Sequence, residues 1–194
     1  MTETKSSYES ISKAKTFTPP SQDEAFVFAQ LAKNLEAACI KARLYKLSAC
    51  RLIIFLRTQD FRSAGVELHL DRPSAFPSDL FGPLKEGFKT IFHSGMPYRQ
   101  TGVVLAGLKP EVEVQNTLFD DTPKIEKMAR VYSAVDELSA KYGKYAVHHG
   151  ASLPTKLQAR HEGDRGDAPE RLKELFKGEN SRQRLGFPVW RIDV

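Results

Sequence analysis

Long apolar runs are missing: no stretch of the 194 residues reaches membrane length. The amino-terminal "MTETKSSYES" lacks the apolar middle of a secretory signal. Both absences point to a cytoplasmic protein with no membrane partner. Cysteine is scarce. Cys39 and Cys50 stand apart, without metal-ligand spacing, and read as free thiols in a reducing compartment. No large excess of one charge is present either. The 29 Lys and Arg face 24 Asp and Glu, a net +5. That balance permits nucleic-acid binding without demanding it, because placement matters more than the sum.

Signatures of chemistry are missing too. No Gly-rich phosphate loop follows a strand, since "RSAGVE" reads as a turn, and there is no Gly-x-Ser-x-Gly or Cys/His pairing. His148, His149 and His161 lack ligand partners at metal spacing. Asp120 and Asp121 are neighbours on one loop. Asp136 and Glu137 are adjacent on a helix and point in different directions, so all four read as capping or solvated charges.

What is present suits a folded domain. Hydrophobic residues make up 41% of the chain, enough for a core, and the length fits one domain with appendages or two small ones. Residues 1–7 read as a leader. "YESISKAKTF" reads as a strand ended by Pro19 and Pro20. Ser21 and Glu24 have capping-box spacing and predict a helix start. From Phe28, an apolar stripe through Leu31, Ala32, Leu35, Ala38, Cys39, Ala42 and Tyr45 predicts a helix of about six turns. Two strands follow, "ACRLIIFLRTQDF" and "SAGVELHLDRPS", joined as a hairpin through "TQDFRS". Phe81, Leu84, Phe88, Ile91 and Phe92 mark a second helix, weakened by Pro83 and Gly87 and stopped by Gly95. "YRQTGVVLAGL" is a fourth strand.

The order is strand, helix, strand, strand, helix, strand. Each element has one apolar side, so the economical arrangement is an α+β two-layer sandwich. It has a four-stranded sheet with both helices on one face. Beyond it, Thr122 and Pro123 suit a third helix, with a stripe of Ile125, Met128, Tyr132, Val135, Leu138 and Tyr142 ended by Gly143. "KYAVHHGASLP" reads as a short strand or extended segment. Residues 155–194 read as a charged, partly ordered tail, with Trp190 as its one docking candidate.

Three pieces in this order, "SISKAKTF", "YRQTGVVLAGL" and "QNTLFD", resemble the C-terminal part of Y-family DNA polymerases of the DinB, UmuC and ImpB kind. That part is called the little finger, or polymerase-associated domain. The matching residues are Thr16-Phe17, Lys41-Ala42-Arg43, and Tyr98-Arg99 with Gly102-Val103, and the likeness covers roughly residues 8–150. It implies a little-finger domain over 8–110 and a clamp-binding peptide over 111–121; the helix and extended segment over 122–154 and the tail over 155–194 are read from the residues alone, and the region after about 155 carries no such likeness. It also implies an open sheet face that holds duplex primer–template DNA by its phosphates. Lys13 and Lys15 on the first strand, Arg51 and Arg57 on the second, Arg62 near the turn, and Arg99 and Gln100 on the last are the expected DNA contacts. Gln stands at a position often basic in the family, so a weaker contact is expected there. Glu67 and His69 are expected to point outward, with Glu67 at the rim.

The stretch "VEVQNTLFDDTP" admits two readings. The resemblance implies a peptide for the bacterial sliding clamp, with Gln115, Leu118 and Phe119 as its anchors. Burying Leu and Phe is worth roughly 1.5–3 kcal/mol each, and ordering the segment takes much of that back, so the peptide should bind weakly. The residues alone also fit a helix start, with Phe119 packed as a staple before the Thr122 cap. The family's magnesium-binding carboxylates lie in a catalytic palm, so no cofactor is expected in this chain, and it should be catalytically silent without the polymerase's catalytic core, a third expected partner. Two other functions stay open. One is an RNA-recognition-like module for single strands, for which only Phe55 offers a sheet-face aromatic. The other is a protein-interaction adaptor working through residues 110–194.

Overall fold

The computed structural model describes residues 8–111, 122–142 and 146–157. Four strands form one antiparallel sheet: β1 (Ser10–Ser21), β2 (Leu47–Thr58), β3 (Ser63–Ser74) and β4 (Tyr98–Pro110), in the spatial order β1-β4-β2-β3. Helices α1 (Glu24–Leu44) and α2 (Pro77–Ile91) pack on the sheet. The α+β arrangement expected from the periodicities is the observed one.

Alternation decides which side of each strand is covered. Leu52, Ile54 and Leu56 of β2 and Val103 and Leu105 of β4 are fully buried. They stand in register with one another and with Ile11 of β1. Under them lie Leu31, Leu35, Ala38 and Ala42 of α1 and Leu80, Leu84 and Phe88 of α2. Gly87 has a packing role: a Cβ there would lie 2.8 Å from Leu68 Cδ1 and 2.9 Å from Ile54 Cδ1. The glycine lets α2 approach β2 and β3 closely. One polar pin crosses the core, where the Asn34 amide donates to both the backbone oxygen (3.0 Å) and the hydroxyl (2.9 Å) of Thr101.

Several local expectations change. β1 does not end at the prolines but continues through Pro19 and Pro20 to Ser21, with a cis Thr18–Pro19 bond. As an edge strand it tolerates residues without an N–H. The cap of α1 is Asp23, which accepts from the Ala25 N–H at 2.9 Å, while the Ser21 hydroxyl oxygen accepts from Asp23. In the stretch read as a short strand or extended segment, His149 is extended, and a 3₁₀ turn at Gly150–Ser152 and a short helix α4 (Pro154–Leu157) follow it.

Helix α3 (Thr122–Tyr142) differs most from its pattern. Of the expected stripe, only Tyr132 is buried, and Leu138 and Tyr142 are exposed. Polar contacts hold the helix instead. Asp136, read from sequence as a solvated or capping charge, accepts from Arg43 Nε (2.7 Å) and Nη2 (2.6 Å). Arg43 also donates to the Ala75 oxygen and lies over the Tyr132 ring. That ring stacks on Phe76, and the Tyr132 hydroxyl accepts from the Ser78 N–H. Behind α3, Glu36 of α1 accepts from the His149 N–H at 2.8 Å and from the Ser152 hydroxyl at 3.0 Å, tying residues 149–152 to α1.

Candidate nucleic-acid interface

The strand register defines the face away from α1 and α2 row by row. One end row reads Ser10, Ala106, Arg51, His69 from β1 across to β3. The next rows are Ser12, Val104, Ile53, Glu67, and then Ala14, Gly102, Phe55, Gly65. The other end row is Thr16, Gln100, Arg57, Ser63. The face is therefore apolar in its middle, except for Ser12 and Glu67 on the two edge strands, and polar at both ends. The Phe55 ring lies over Gly102, where a Cβ would come within 2.1 Å of Phe55 Cζ. Glycine at 102 is what lets the ring lie flat on the strands.

The two ends differ in charge. At one, Arg51 donates to Glu67 across a 2.8 Å ion pair, with the two side chains 43% and 41% exposed. Glu67 stands on the edge strand β3, at the rim of the sheet, and its contact with Arg51 offsets the charge expected to meet a phosphate. At the other end Arg57 donates to the Ser63 hydroxyl (3.0 Å), which leaves its charge uncompensated by that contact. A register shift between Arg57 and Thr58 makes Arg99 the extra residue of β4, between Tyr98, opposite Thr58, and Gln100, opposite Arg57. Arg62 stands in the adjoining hairpin, exposed, and pairs with Asp60 at 2.9 Å. The Thr58 hydroxyl, nearby backbone N–H groups and the Arg62 charge hold the Asp60 carboxyl below its usual range, so Asp60 stays anionic at neutral pH.

Of the seven expected contacts, then, Arg57, Arg62, Arg99 and Gln100 come together at one end of the sheet. Arg51 shares the face but lies six residues further along β2, roughly 20 Å away at strand rise. Lys13 and Lys15 are placed otherwise. They stand opposite Val103 and Thr101, in the row of Ile11 and Phe17, on the helix side of the edge strand. The open-face residues of β1 are their neighbours Ser12, Ala14 and Thr16. A period of two leaves no other choice once Ile11 and Phe17 are inside. Residues Gln115, Leu118 and Phe119 lie outside the described residues, as does the tail beyond 157.

Sequence reasoning missed the hydroxyls of Thr16 and Ser63, which flank Gln100 and Arg57 in the end row. It also missed Phe61, whose ring carries the Arg99 guanidinium at 4.6 Å from its centroid. Among the described residues, no three His, Cys, Asp or Glu side chains gather as a metal site would require. No helix among them is long and apolar enough to cross a membrane. Cys39 and Cys50 are free thiols; burial pushes Cys39 up to about 12.

Comparison with known proteins agrees with the sequence resemblance. The impB/mucB/samB family C-terminal domain matches residues 8–118. A DNA polymerase IV of Moorella thermoacetica is 33% identical over 94 residues, which is 45% of this chain and 23% of that protein. This chain thus spans about a quarter of that relative's length. Among solved structures, a post-insertion binary complex of Dbh DNA polymerase is similar with a TM-score of 0.46 at 12% identity, over 52% of this chain and 29% of that one. The little finger domain of PolIV, solved in a complex with a beta-clamp processivity factor, gives a TM-score of 0.41 at 18% identity, over 57% of this chain and 99% of that one. The chain belongs to the impB/mucB/samB family of C-terminal domains, the little-finger domains of Y-family DNA polymerases.

Proposed function

We propose that this chain is the DNA-gripping and clamp-tethering module of an error-prone, translesion DNA polymerase. It holds duplex primer–template DNA by its phosphates and contributes no catalytic group of its own. The observation that carries this reading is the end row Thr16, Gln100, Arg57, Ser63 on the helix-free face, with Arg99 and Arg62 beside it. Guanidinium groups, a side-chain amide and two hydroxyls form a donor-rich strip, and donors are what phosphate oxygens need. Such contacts set position without reading bases, which suits an enzyme that must act on any template. Arg51, balanced by Glu67, and Arg62, balanced by Asp60, contribute less than Arg57 and Arg99. Lys15, exposed on the edge strand, meets a backbone only beyond that edge.

Clamp tethering rests on Gln115, Leu118 and Phe119. Two neighbouring apolar side chains fit one cleft when the backbone is extended, and the Gln amide gives a directional polar contact. A titration with purified bacterial sliding clamp, with and without duplex DNA, tests both halves. The Leu118→Ala, Phe119→Ala double change should abolish clamp binding and leave DNA binding and the melting temperature nearly unchanged. A large loss of folding stability would instead favour the helix-start reading of the same residues. Clamp binding with no DNA affinity at low salt would point to an adaptor.

A further inference from the structure

The hairpin between β2 and β3 presents an aromatic side chain in an uncommon way. Phe61 has φ +67°, in the left-handed region that bulky residues rarely occupy. Its side chain is nevertheless not tucked away, since the residue is 65% exposed. The turn that holds it is fixed on several sides. The Phe61 N–H donates to the Thr58 oxygen (3.1 Å), Thr58 N–H to the Arg62 oxygen (2.9 Å) and Gln59 N–H to the Pro97 oxygen (2.8 Å). The Thr58 hydroxyl bonds Asp60, and Asp60 pairs with Arg62. The Arg99 guanidinium backs the ring.

The result is a flat apolar plate on a braced turn, beside Arg57, Arg62, Arg99 and Gln100. An aromatic face next to cationic groups suits an unpaired base, whose phosphates the cations hold while its π-face meets the ring. A base inside a duplex has both faces covered by its neighbours and offers nothing to stack on. We propose that Phe61 stacks an unpaired nucleobase where duplex DNA gives way to single strand, so that this domain prefers a junction to a continuous duplex. The proposal rests on the DNA-gripping reading above.

The test uses the full chain and three fluorescent probes: a blunt DNA duplex, the same duplex with a single-stranded template overhang, and the single strand alone. Wild type should bind the overhang probe about tenfold more tightly than the blunt duplex, within the range of one base–aromatic stack. Phe61→Gly, which suits the positive φ and so preserves the turn, should remove most of that difference. Phe61→Trp should retain it. Arg57→Ala should weaken both duplex probes alike. An overhang that gives wild type no advantage overturns the proposal, as does a Gly variant that loses both probes equally or a Trp variant that behaves like Gly. Equal binding of wild type to both duplex probes leaves the duplex grip standing and this inference refuted; no binding to any probe refutes both.

Discussion

Replacing Asp136 by Ala should loosen α3 from the rest of the domain without unfolding the sheet. The helix buries one side chain, Tyr132, so apolar packing contributes little to its docking. Its strongest single attachment is the two-bonded pair between Asp136 and Arg43, at 2.6 and 2.7 Å, with side chains 35% and 10% exposed. Exposed pairs are worth about 0.2–1 kcal/mol, while removing one partner of a fully buried pair costs about 3–5 kcal/mol. A pair buried mainly on the arginine side falls between, at about 2 kcal/mol. Arg43 keeps its bond to the Ala75 oxygen and its place over Tyr132, which limits the loss. At 1.4 kcal/mol per factor of ten, amides of α3 should exchange with solvent roughly 30-fold faster. Amides of β2 and β4 should be nearly unchanged. The Arg43→Ala, Asp136→Ala double variant should lose less than the sum of the singles. Hydrogen exchange read by mass spectrometry or NMR measures both. Unchanged α3 protection would refute the claim that this pair docks the helix, and equal loss in sheet and helix would refute the local character of the opening.

Two further outcomes follow from the geometry. Gly102→Ala should destabilise the domain by about 1–2 kcal/mol in a denaturant titration, because the new methyl occupies the place of the Phe55 ring; adding Phe55→Ala should cancel most of the clash penalty, and an additive double variant would contradict it. The contacts of residues 149–152 should weaken in mild acid. Burial first, and then the neighbouring His148, hold His149 below its ordinary value, and its Nε2 lies 3.1 Å from the Tyr132 hydroxyl. The folded imidazole binds fewer protons than the unfolded one. Its contribution is therefore present above about pH 6.5 and is lost as pH falls from there through the depressed value. Buried Glu36, bonded to the His149 backbone, and His148 also face this segment. Amide protection at residues 149–152, corrected for the intrinsic slowing of exchange in acid, should fall on acidification in wild type and much less in His149→Gln, which has no imidazole to protonate; the same pH dependence in both would contradict the assignment.

How much was legible in the sequence follows from where the information sits. The sheet and the first two helices are written locally. Leu52, Ile54 and Leu56 alternate, and Leu31, Leu35, Ala38 and Ala42 recur at helical spacing, so their buried sides could be read directly. The docking of α3 could not, because Arg43 and Asp136 lie far apart in sequence and neither belongs to an apolar stripe. The stripe of α3 was a true pattern with little buried behind it. On the candidate interface, parity was enough to put Arg51 and Arg57 on the helix-free face. The same rule, applied to Ile11 and Phe17, puts Lys13 and Lys15 on the other side. The diagonal approach of Glu67 to Arg51, and the bulge that sets Arg99 beside Gln100, depend on register between strands, which no single strand's pattern contains.

The central claim is a phosphate grip on the sheet's helix-free face, and the salt dependence of duplex binding tests it most directly. About four contacts, each releasing counterions, should make log K fall against log salt with a slope of about −3 to −4. Arg57→Ala should reduce that slope by about 1, whatever the DNA sequence. An affinity that does not change with salt, or an Arg57→Ala variant with the wild-type slope, would contradict it.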